Sequence, residues 1–438
     1  MTLDRIAAFV VDTAAAGAPA EVDAAARDRL LDTLAAGAAG VVAPASRVAL
    51  AYASSSSGPA PVWATGVRGV PERAAFAGAT CASALDLDDG HYGGGGIHPG
   101  STVVPALLAV ADDDQEVTTL RTALVVGYEV AIRAGARFSP AATGETYRAT
   151  GHASVVGATA ALCALRGVGA GTVRAALRIA LAHAPSAVLA SAGAKEAIGW
   201  AAATAVAAVE LAVAGFDPDG TPVGSIFRTT ALDDPAVAAT LGERWELLDV
   251  YTKPAPVCQG AQAALEALEA LDELADLADL DDVAGIDVDV APGSAAVLGD
   301  VATRDLASRQ FSIPDVLGRR LVRGRLGPLA LLTEDPDADR IAALVHVRDE
   351  SLGSEPGDGY PTRLTVRTRT GGVLTREVRM AIGGPGRPLA PAAFLERCRA
   401  ALAVAFDPAE AEQVIGLVHG GDARVGDLRR PAPRASRA

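Results

Sequence analysis

The hydrophobic pattern of this 438-residue chain changes near residue 250, and that change limits the folds that the chain can adopt. Before it, apolar residues recur at helical spacing, as in residues 19–37, and short Gly, Ser and Pro segments separate the helical stretches. After it, residues 286–290 and 364–378 alternate apolar and polar side chains, and Gly371-Gly372 supplies a hairpin turn. The pattern predicts a mainly α protein with an α+β part.

The same pattern predicts the domain bounds. We expect a helical domain over residues 1–252, an α+β domain over 253–388 and C-terminal helices over 389–428. Residues 429–438 are polar and Pro-rich, so we expect a disordered tail. A chain of this length is too long for one small core, which agrees with two domains.

Composition argues against several classes of protein. The net charge is −15 and there is no basic stripe, so we expect no nucleic-acid partner. No apolar run reaches the roughly 18 residues of a membrane span, and the N-terminus lacks the regions of a signal peptide. The 4 cysteines are scattered and form no zinc or disulfide pattern. We therefore expect a cytoplasmic protein that crosses no membrane.

Residues 86–98, which we call the acidic loop, concentrate titratable groups beside a run of glycines. These groups are Asp86, Asp88, Asp89, His91 and His98. Polar groups between two apolar segments are costly to desolvate, and glycines let a backbone approach a ligand closely. General acid–base chemistry fits this set best, with a carboxylate orienting a histidine. A metal site is one alternative, and a structural role for Asp86 and Asp89 as capping groups is another.

Outside this loop, a histidine and two arginines are candidates for substrate binding. His152 precedes a predicted helix over 155–165, where it is either near the helix cap or part of a carboxylate site. Arg133 and Arg148 flank the segment before it, and arginine forks bind carboxylates in bidentate fashion. A solvated surface is the alternative for each arginine.

Lysine is nearly absent from the chain. Of 38 basic residues, only Lys195 and Lys253 are lysines. Where nearly every cation is arginine, a retained lysine indicates a position that needs a compact ammonium group able to lose its proton. Chance retention is the alternative.

Several motifs, taken in order, resemble the MmgE/PrpD family, which includes 2-methylcitrate dehydratase, cis-aconitate decarboxylase and iminodisuccinate epimerase. The acidic loop with the following Pro-Gly-Ser resembles the acidic loop of that family. The other similar motifs are Gly127-Tyr-Glu-Val-Ala-Ile-Arg133, Gly151-His-Ala-Ser-Val-Val-Gly-Ala, Lys195 with Ile198-Gly-Trp, Lys253-Pro-Ala-Pro-Val-Cys258, Phe311-Ser-Ile-Pro and Gly384-Pro-Gly-Arg-Pro-Leu389. The likeness spans nearly the whole chain.

The resemblance implies an all-helical domain formed by both chain ends, an inserted α+β lid domain, and a site between the two. It also implies a homodimer that requires no cofactor. Asp86, His98 and Lys195 fall on site positions of the family.

Some residues depart from the family pattern. Gln262, Asp315 and Gly90 stand where the family often has histidine, tyrosine and threonine. His152 is offset from the usual His-Pro. Because glutamine cannot act as a general acid or base, these departures affect the expected reaction more than the expected fold.

We therefore predict a cofactor-independent lyase that dehydrates a small hydroxylated di- or tricarboxylate by removing a proton alpha to a carboxylate. Lys195 or His98 serves as base or acid, and Asp86 orients the histidine. His152 completes the catalytic set. The predicted substrate-binding residues are Asp89, His91, Arg133, Arg148, Lys253 and Gln262.

Other functions remain as alternatives. An epimerase or isomerase is second, because it needs the same carbanion but no acid for a leaving group, and a decarboxylase is third. A non-catalytic helical dimer is a rival from another class. A metal-dependent helical enzyme is a further rival that needs a second acidic cluster, for which residues 112–114 are available.

Overall fold

The computed structural model describes residues 2–138, 150–185, 193–217, 234–275, 281–300, 305–353 and 359–430. The chain divides into two compact units. The helical unit comprises Met1–Ala84, Asp88–Val250 and Cys398–Ala438, and the α+β unit comprises Leu85–Leu87 and Tyr251–Arg397. Both chain ends therefore belong to the helical unit, as the resemblance implied.

The longer helices of the helical unit occupy the stretches that the apolar periodicity predicts, with shifts of a few residues at their ends. The helices Pro44–Ser54 and Pro235–Ala238, and those between residues 295 and 342, were not predicted. Helices α1 to α18 are, in chain order, Thr2–Ala16, Ala20–Gly40, Pro44–Ser54, Pro71–Ser83, Gly100–Val110, Val117–Phe138, Thr150–Arg166, Ala170–Ala182, Gly193–Val213, Pro235–Ala238, Gln259–Ala275, Ala295–Leu298, Leu306–Phe311, Ile313–Arg323, Pro336–Ala342, Pro391–Leu402, Pro408–His419 and Val425–Leu428. A 3-10 helix covers Glu246–Asp249. Among the described residues, no single helix is both long and apolar enough to cross a membrane, although α2 and α3, taken as a bent pair, pass on length and composition.

Helix α6 carries Tyr128, Glu129 and Arg133. Small residues allow this helix to pack closely against α7. A Cβ atom on Gly157 would lie 2.5 Å from the backbone oxygen of Gly127. A Cβ atom on Gly127 would lie 2.9 Å from the Cβ of Ala161. Because real side chains do not approach so closely, glycine at both positions is what allows these two helices to touch.

Two local features of the helical unit differ from the predictions. Ala60–Pro61 and Arg68–Gly69 form a short antiparallel sheet, strands β1 and β2, where the sequence pattern predicts no strand. Helix α7 begins at Thr150, so His152 lies within its first turn rather than before the helix.

The predicted disordered tail is described only at its start. Residues 431–438 lie outside the described residues. Arg429 donates from Nη2 to the carbonyl oxygens of Leu108 at 2.7 Å and Ala111 at 3.0 Å, so this residue is anchored to the end of α5.

The α+β unit is built on a four-stranded sheet of order β4-β3-β5-β6. These strands are β3 (Val283–Val290), β4 (Val345–Asp349), β5 (Thr362–Thr368) and β6 (Val373–Val378). Strand β3 pairs parallel with β4 and antiparallel with β5, and the hairpin between β5 and β6 turns at Gly371, whose φ is 95°. The buried faces of β3 and β5 contribute to one apolar core with α11 and α14. The predicted fold class, mainly α with an α+β part, is confirmed.

Candidate active site

The acidic loop begins, in the α+β unit, with a buried ion pair. Lys253 donates from Nζ to Oδ1 of Asp86 over 2.6 Å, and the two side chains are 0% and 6% exposed. The backbone of Asp86 is left-handed, with φ at 55°, a conformation that aspartate tolerates better than most residues. Two opposite charges can leave water together only when they pair closely, so each partner depends on the other.

Arg397 holds the two backbone segments that carry this pair. Its guanidinium donates from Nε to the carbonyl oxygen of Lys253 over 2.5 Å and from Nη2 to the carbonyl oxygen of Leu87. Arg397 is itself buried. Sequence reasoning missed this residue because Leu87 is 310 positions away and a carbonyl acceptor has no signature in residue type.

In the helical unit, the acidic loop ends with a histidine whose tautomer is fixed. Nδ1 of His98 lies 2.6 Å from the carbonyl oxygen of Asp89 and 3.8 Å from Oδ2 of Asp88. A carbonyl oxygen only accepts, so Nδ1 carries a proton and the lone pair of the neutral ring is on Nε2. This is the tautomer that a general base attacking through Nε2 requires.

Asp89 is enclosed completely and holds the start of helix α5. Its Oδ2 accepts from the hydroxyl of Tyr128 at 2.6 Å, and its Oδ1 accepts from the backbone N–H of Gly100 at 3.2 Å. Burial raises the pKa of the Asp89 carboxyl to about 7, and the negative charge of Asp32 adds to the effect. Asp89 was predicted to bind substrate, and that role stays a prediction.

His91 shapes the glycine turn between the two ends of the loop. Its backbone pairs with Ile97, and its Nδ1 accepts from the N–H of Gly94 at 2.8 Å. Because Nδ1 accepts, the proton of the neutral ring is on Nε2, the reverse of His98. That Nε2 is buried without a hydrogen-bond partner among the described residues and lies 3.7 Å from Oε2 of Glu246. Burial lowers the pKa of His91, which favours the neutral ring.

His91, Glu246 and Asp249 bring three potential metal ligands within 4.8 Å of one another. Two observations argue against an ion at this group. Binding through Nε2 would remove the proton that the contact with Gly94 assigns to that nitrogen. Arg244 already supplies positive charge, at 3.5 Å from Glu246 and 3.3 Å from Asp249. The metal alternative drawn from the sequence combined His91 with the aspartates of the loop, which is a different group.

Arg133 is committed to contacts inside the helical unit. It forms a buried ion pair with Glu129 and donates from Nη2 to the carbonyl oxygen of Arg244 at 2.7 Å. Glu129 in turn accepts from the backbone N–H of Leu247 at 2.9 Å and of Glu246 at 3.2 Å. Together the two side chains of α6 hold the 3-10 helix that faces His91. The predicted substrate-binding role of Arg133 stays a prediction.

Comparison with known families identifies two matching domains. Residues 4–222 match the MmgE/PrpD N-terminal domain, and residues 255–419 match the MmgE/PrpD C-terminal domain. The chain belongs to the MmgE/PrpD family. This is a family of the dehydratase or lyase type whose members are typically enzymes. No curated protein matches the chain.

Two departures from the usual MmgE/PrpD pattern have structural partners in the α+β unit. Gln262 donates from Nε2 to the carbonyl oxygens of Ala255 at 2.9 Å and Val257 at 3.0 Å. Asp315 pairs with the buried Arg319 at 2.8 Å. Neither side chain offers the titratable group that the MmgE/PrpD family often has at its position.

Two of the remaining predicted residues, His152 and Lys195, lie in the first turns of helices. His152 is buried in α7, and its Nδ1 lies 2.8 Å from the carbonyl oxygen of Pro185. Nδ1 therefore carries the proton, and the lone pair of the neutral ring is on Nε2, as in His98. Lys195 lies at the start of α9, with its side chain outside the described residues. Arg148 lies outside the described residues altogether. The catalytic roles of His152 and Lys195 stay predictions.

Proposed function

We propose that the protein is a cofactor-independent lyase that dehydrates a small hydroxylated di- or tricarboxylate, with His98 as the general base. The observation that carries the proposal is the contact between Nδ1 of His98 and the carbonyl oxygen of Asp89, because it places the lone pair on Nε2. Family membership supports the lyase class. The family resemblance also supports a homodimer in the cytoplasm.

The reaction begins with proton transfer from the carbon alpha to a carboxylate to Nε2 of His98. The electrons of the broken C–H bond form the new C=C bond, and the hydroxyl group on the neighbouring carbon leaves as water after receiving a proton from an acid. Asp88, at 3.8 Å from Nδ1, and the Asp89 carbonyl both stabilise the imidazolium that forms. We assign the acid to His152 or Lys195.

The substrate carboxylates need fixed positive charge. We assign this role to Arg148, since Arg133 has internal partners and Lys253 is paired with Asp86.

An epimerase is the second candidate, and Gln262 favours it. Epimerisation removes and returns the alpha proton and needs no acid for a leaving group. Gln262 cannot supply such an acid, and its Nε2 is already bonded to two carbonyl oxygens.

One experiment separates these reactions. The protein is incubated in deuterated water with citrate, 2-methylcitrate, cis-aconitate, tartrate, malate and iminodisuccinate, and each compound is followed by NMR. An unsaturated product with loss of the hydroxyl group identifies a dehydratase. Deuterium at the alpha carbon with inversion, but without an unsaturated product, identifies an epimerase. No exchange and no product from any of these compounds would contradict the proposed class of substrates.

A further inference from the structure

We propose that Asp89 is a positioning residue, whose ionised carboxylate holds His98 in its reactive orientation and whose protonation loosens that hold. The proposal deepens the function proposed above and rests on the role given there to His98. It differs from the role predicted for Asp89, which was direct contact with substrate. Asp89 instead acts through the backbone and through the start of α5.

Asp89 contacts both ends of the segment that carries His98. Its carbonyl oxygen accepts from Nδ1 of His98 at 2.6 Å. Its carboxylate accepts from the N–H of Gly100 at 3.2 Å and from the hydroxyl of Tyr128 at 2.6 Å. Asp89 therefore fixes the ring of His98 and the start of helix α5, which begins two residues later. Its contact with Tyr128 ties both of these to helix α6.

The surroundings of Gly100 leave no room for a side chain at this position. A Cβ atom on Gly100 would collide with the Tyr128 hydroxyl and with Oγ1 of Thr33, and it would lie 2.8 Å from Oδ1 of Asp89. Glycine at this position is what lets the carboxylate reach the first amide of α5. An ionised carboxylate is the stronger acceptor for that amide, and it lies at the positive end of the helix.

The charged and titratable groups around Asp89 act in both directions. Burial and the nearby Asp32 and Asp88 raise its pKa, whereas Arg29 and the hydroxyl of Tyr128 lower it. Their balance places the pKa at about 7, so the carboxyl changes charge in the physiological range. Charge on Asp89 is therefore sensitive to the loss of a single hydrogen bond.

A protonated Asp89 has a defined set of partners. Its new O–H can donate to the oxygen of Tyr128 if the Tyr128 hydroxyl turns toward Thr33, with which it also bonds. Thr33 meanwhile donates to the carbonyl oxygen of Arg29 at 3.0 Å, so its Oγ1 can accept. The bond that weakens is the one to Gly100, because a neutral carboxyl oxygen is a poorer acceptor. The start of α5, next to His98, is then held less firmly.

The test is a pH titration of His98 in the full chain by NMR, using protein with 13C-labelled histidine. The Cε1–H signal of His98 is assigned by its absence in His98→Gln. Between about pH 5 and about pH 9, we expect two inflections for this signal, one from the ring itself and one near neutral pH from Asp89. Asp89→Asn should remove the second inflection and leave the first.

A second variant gives the sign of the coupling. Tyr128→Phe removes a donor that stabilises the ionised carboxylate, so it should move the Asp89 inflection upward by about one pH unit. Tyr52→Phe makes the same chemical change at a partly exposed residue that packs on Phe76 and Arg73, and it should leave the curve as in the wild type.

A single inflection that neither Asp89→Asn nor Tyr128→Phe alters would overturn the proposal. If Asp89→Asn does not fold, the Tyr128→Phe variant alone tests the proposal. An upward shift of the inflection in that variant supports the proposal, and no shift overturns it. No substrate is used, so a failure of this coupling is distinguishable from a failure of the proposed reaction. Coupling without turnover would leave Asp89 as a positioning residue and contradict only the reaction.

Discussion

Lys253 and Asp86 form a buried ion pair in which Nζ lies 2.6 Å from Oδ1. Both positions of this pair attract attention in the sequence, the aspartate from its acidic loop and the lysine from its rarity. The pairing itself links positions 167 residues apart, and the sequence does not show it. Removing one partner of such a buried pair destabilises a protein more than replacing both partners does.

Lys253→Met should lower the free energy of unfolding by about 3–5 kcal/mol, because it leaves the Asp86 carboxylate buried without a counter-charge. The double variant Lys253→Met/Asp86→Asn should lose less stability than the single variant, because no charge is left buried. Asparagine also keeps the left-handed backbone conformation of residue 86 accessible. Urea unfolding followed by circular dichroism measures both.

The control for this pair is Arg325→Met. Arg325 pairs with Glu396 at 2.7 Å, but the two side chains are 71% and 64% exposed. Its loss should cost about 1 kcal/mol or less. Equal losses for Lys253→Met and Arg325→Met would show that the buried pair has no special weight.

Gly100→Ala should destabilise the helical unit by about 1–3 kcal/mol, because the added methyl group meets the Tyr128 hydroxyl, Thr33 and Asp89 in a packed interior. Gly416→Ala is the matched control, since Gly416 lies in α17 with no atom within 4 Å of the added carbon. It should stabilise by about 0.5–1 kcal/mol. Thermal unfolding of both variants checks the opposite signs, and two stabilised variants would contradict the described packing.

Arg133→Leu distinguishes an internal role of this arginine from the predicted contact with substrate. The structure leads us to expect a loss of about 3–5 kcal/mol of stability, because Glu129 would remain buried without its partner. Arg133→Lys should recover only part of it, since an ammonium group cannot also reach the carbonyl oxygen of Arg244 in the same way. Unchanged unfolding together with weaker substrate binding would instead support the predicted contact.

His91 should make stability depend on pH in one direction. Burial has the largest effect on the pKa of His91 and lowers it. The charges of Glu246 and Asp249 raise this pKa by less, and those of Arg244 and Arg133 lower it further. The unfolded chain therefore binds the proton more tightly than the folded chain. Stability due to neutral His91 is complete above the unfolded pKa of about 6.5 and is lost as the pH falls below it.

The measurement for His91 is urea unfolding at about pH 7.5 and about pH 5.5. The wild type should lose more stability between these two values than His91→Gln, by up to about 1.4 kcal/mol per pH unit for one proton. The amide side chain of this variant keeps an acceptor for the N–H of Gly94 but cannot titrate in this range. Equal losses in the two proteins would show that His91 does not carry this dependence.

Much of the fold follows from patterns that the sequence displays. The hairpin at Gly371 and the helices of the first 250 residues, apart from Pro44–Ser54 and Pro235–Ala238, were predicted because their signals are local: apolar residues at helical or alternating spacing, and glycines at a turn. Strands β1 and β2 were missed because each has two residues and no alternation. The first turn of α7 was missed because Gly151 lies there, and glycine is a weak helix former.

Sequence reasoning about the site identified the residue types and missed their partners. The acidic loop was found because charged groups beside glycines are conspicuous. That His98 is oriented by a backbone carbonyl, and that Asp86 pairs with Lys253, depend on distances that only the folded chain defines. Tyr128 and Glu129 were overlooked within a motif quoted only for its resemblance, although a tyrosine and a glutamate in an apolar helix are a usable signal.

The most direct test of the central claim is deuterium exchange at the alpha carbon of a polycarboxylate substrate, compared in His98→Gln and His419→Gln. Both variants replace a histidine whose Nδ1 contacts a carbonyl oxygen, at 2.6 Å for His98 and 2.9 Å for His419. We expect His98→Gln to lower the exchange rate by about 100-fold or more, whereas His419→Gln should exchange like the wild type. Exchange at the wild-type rate in folded His98→Gln would contradict the assignment of His98 as the base.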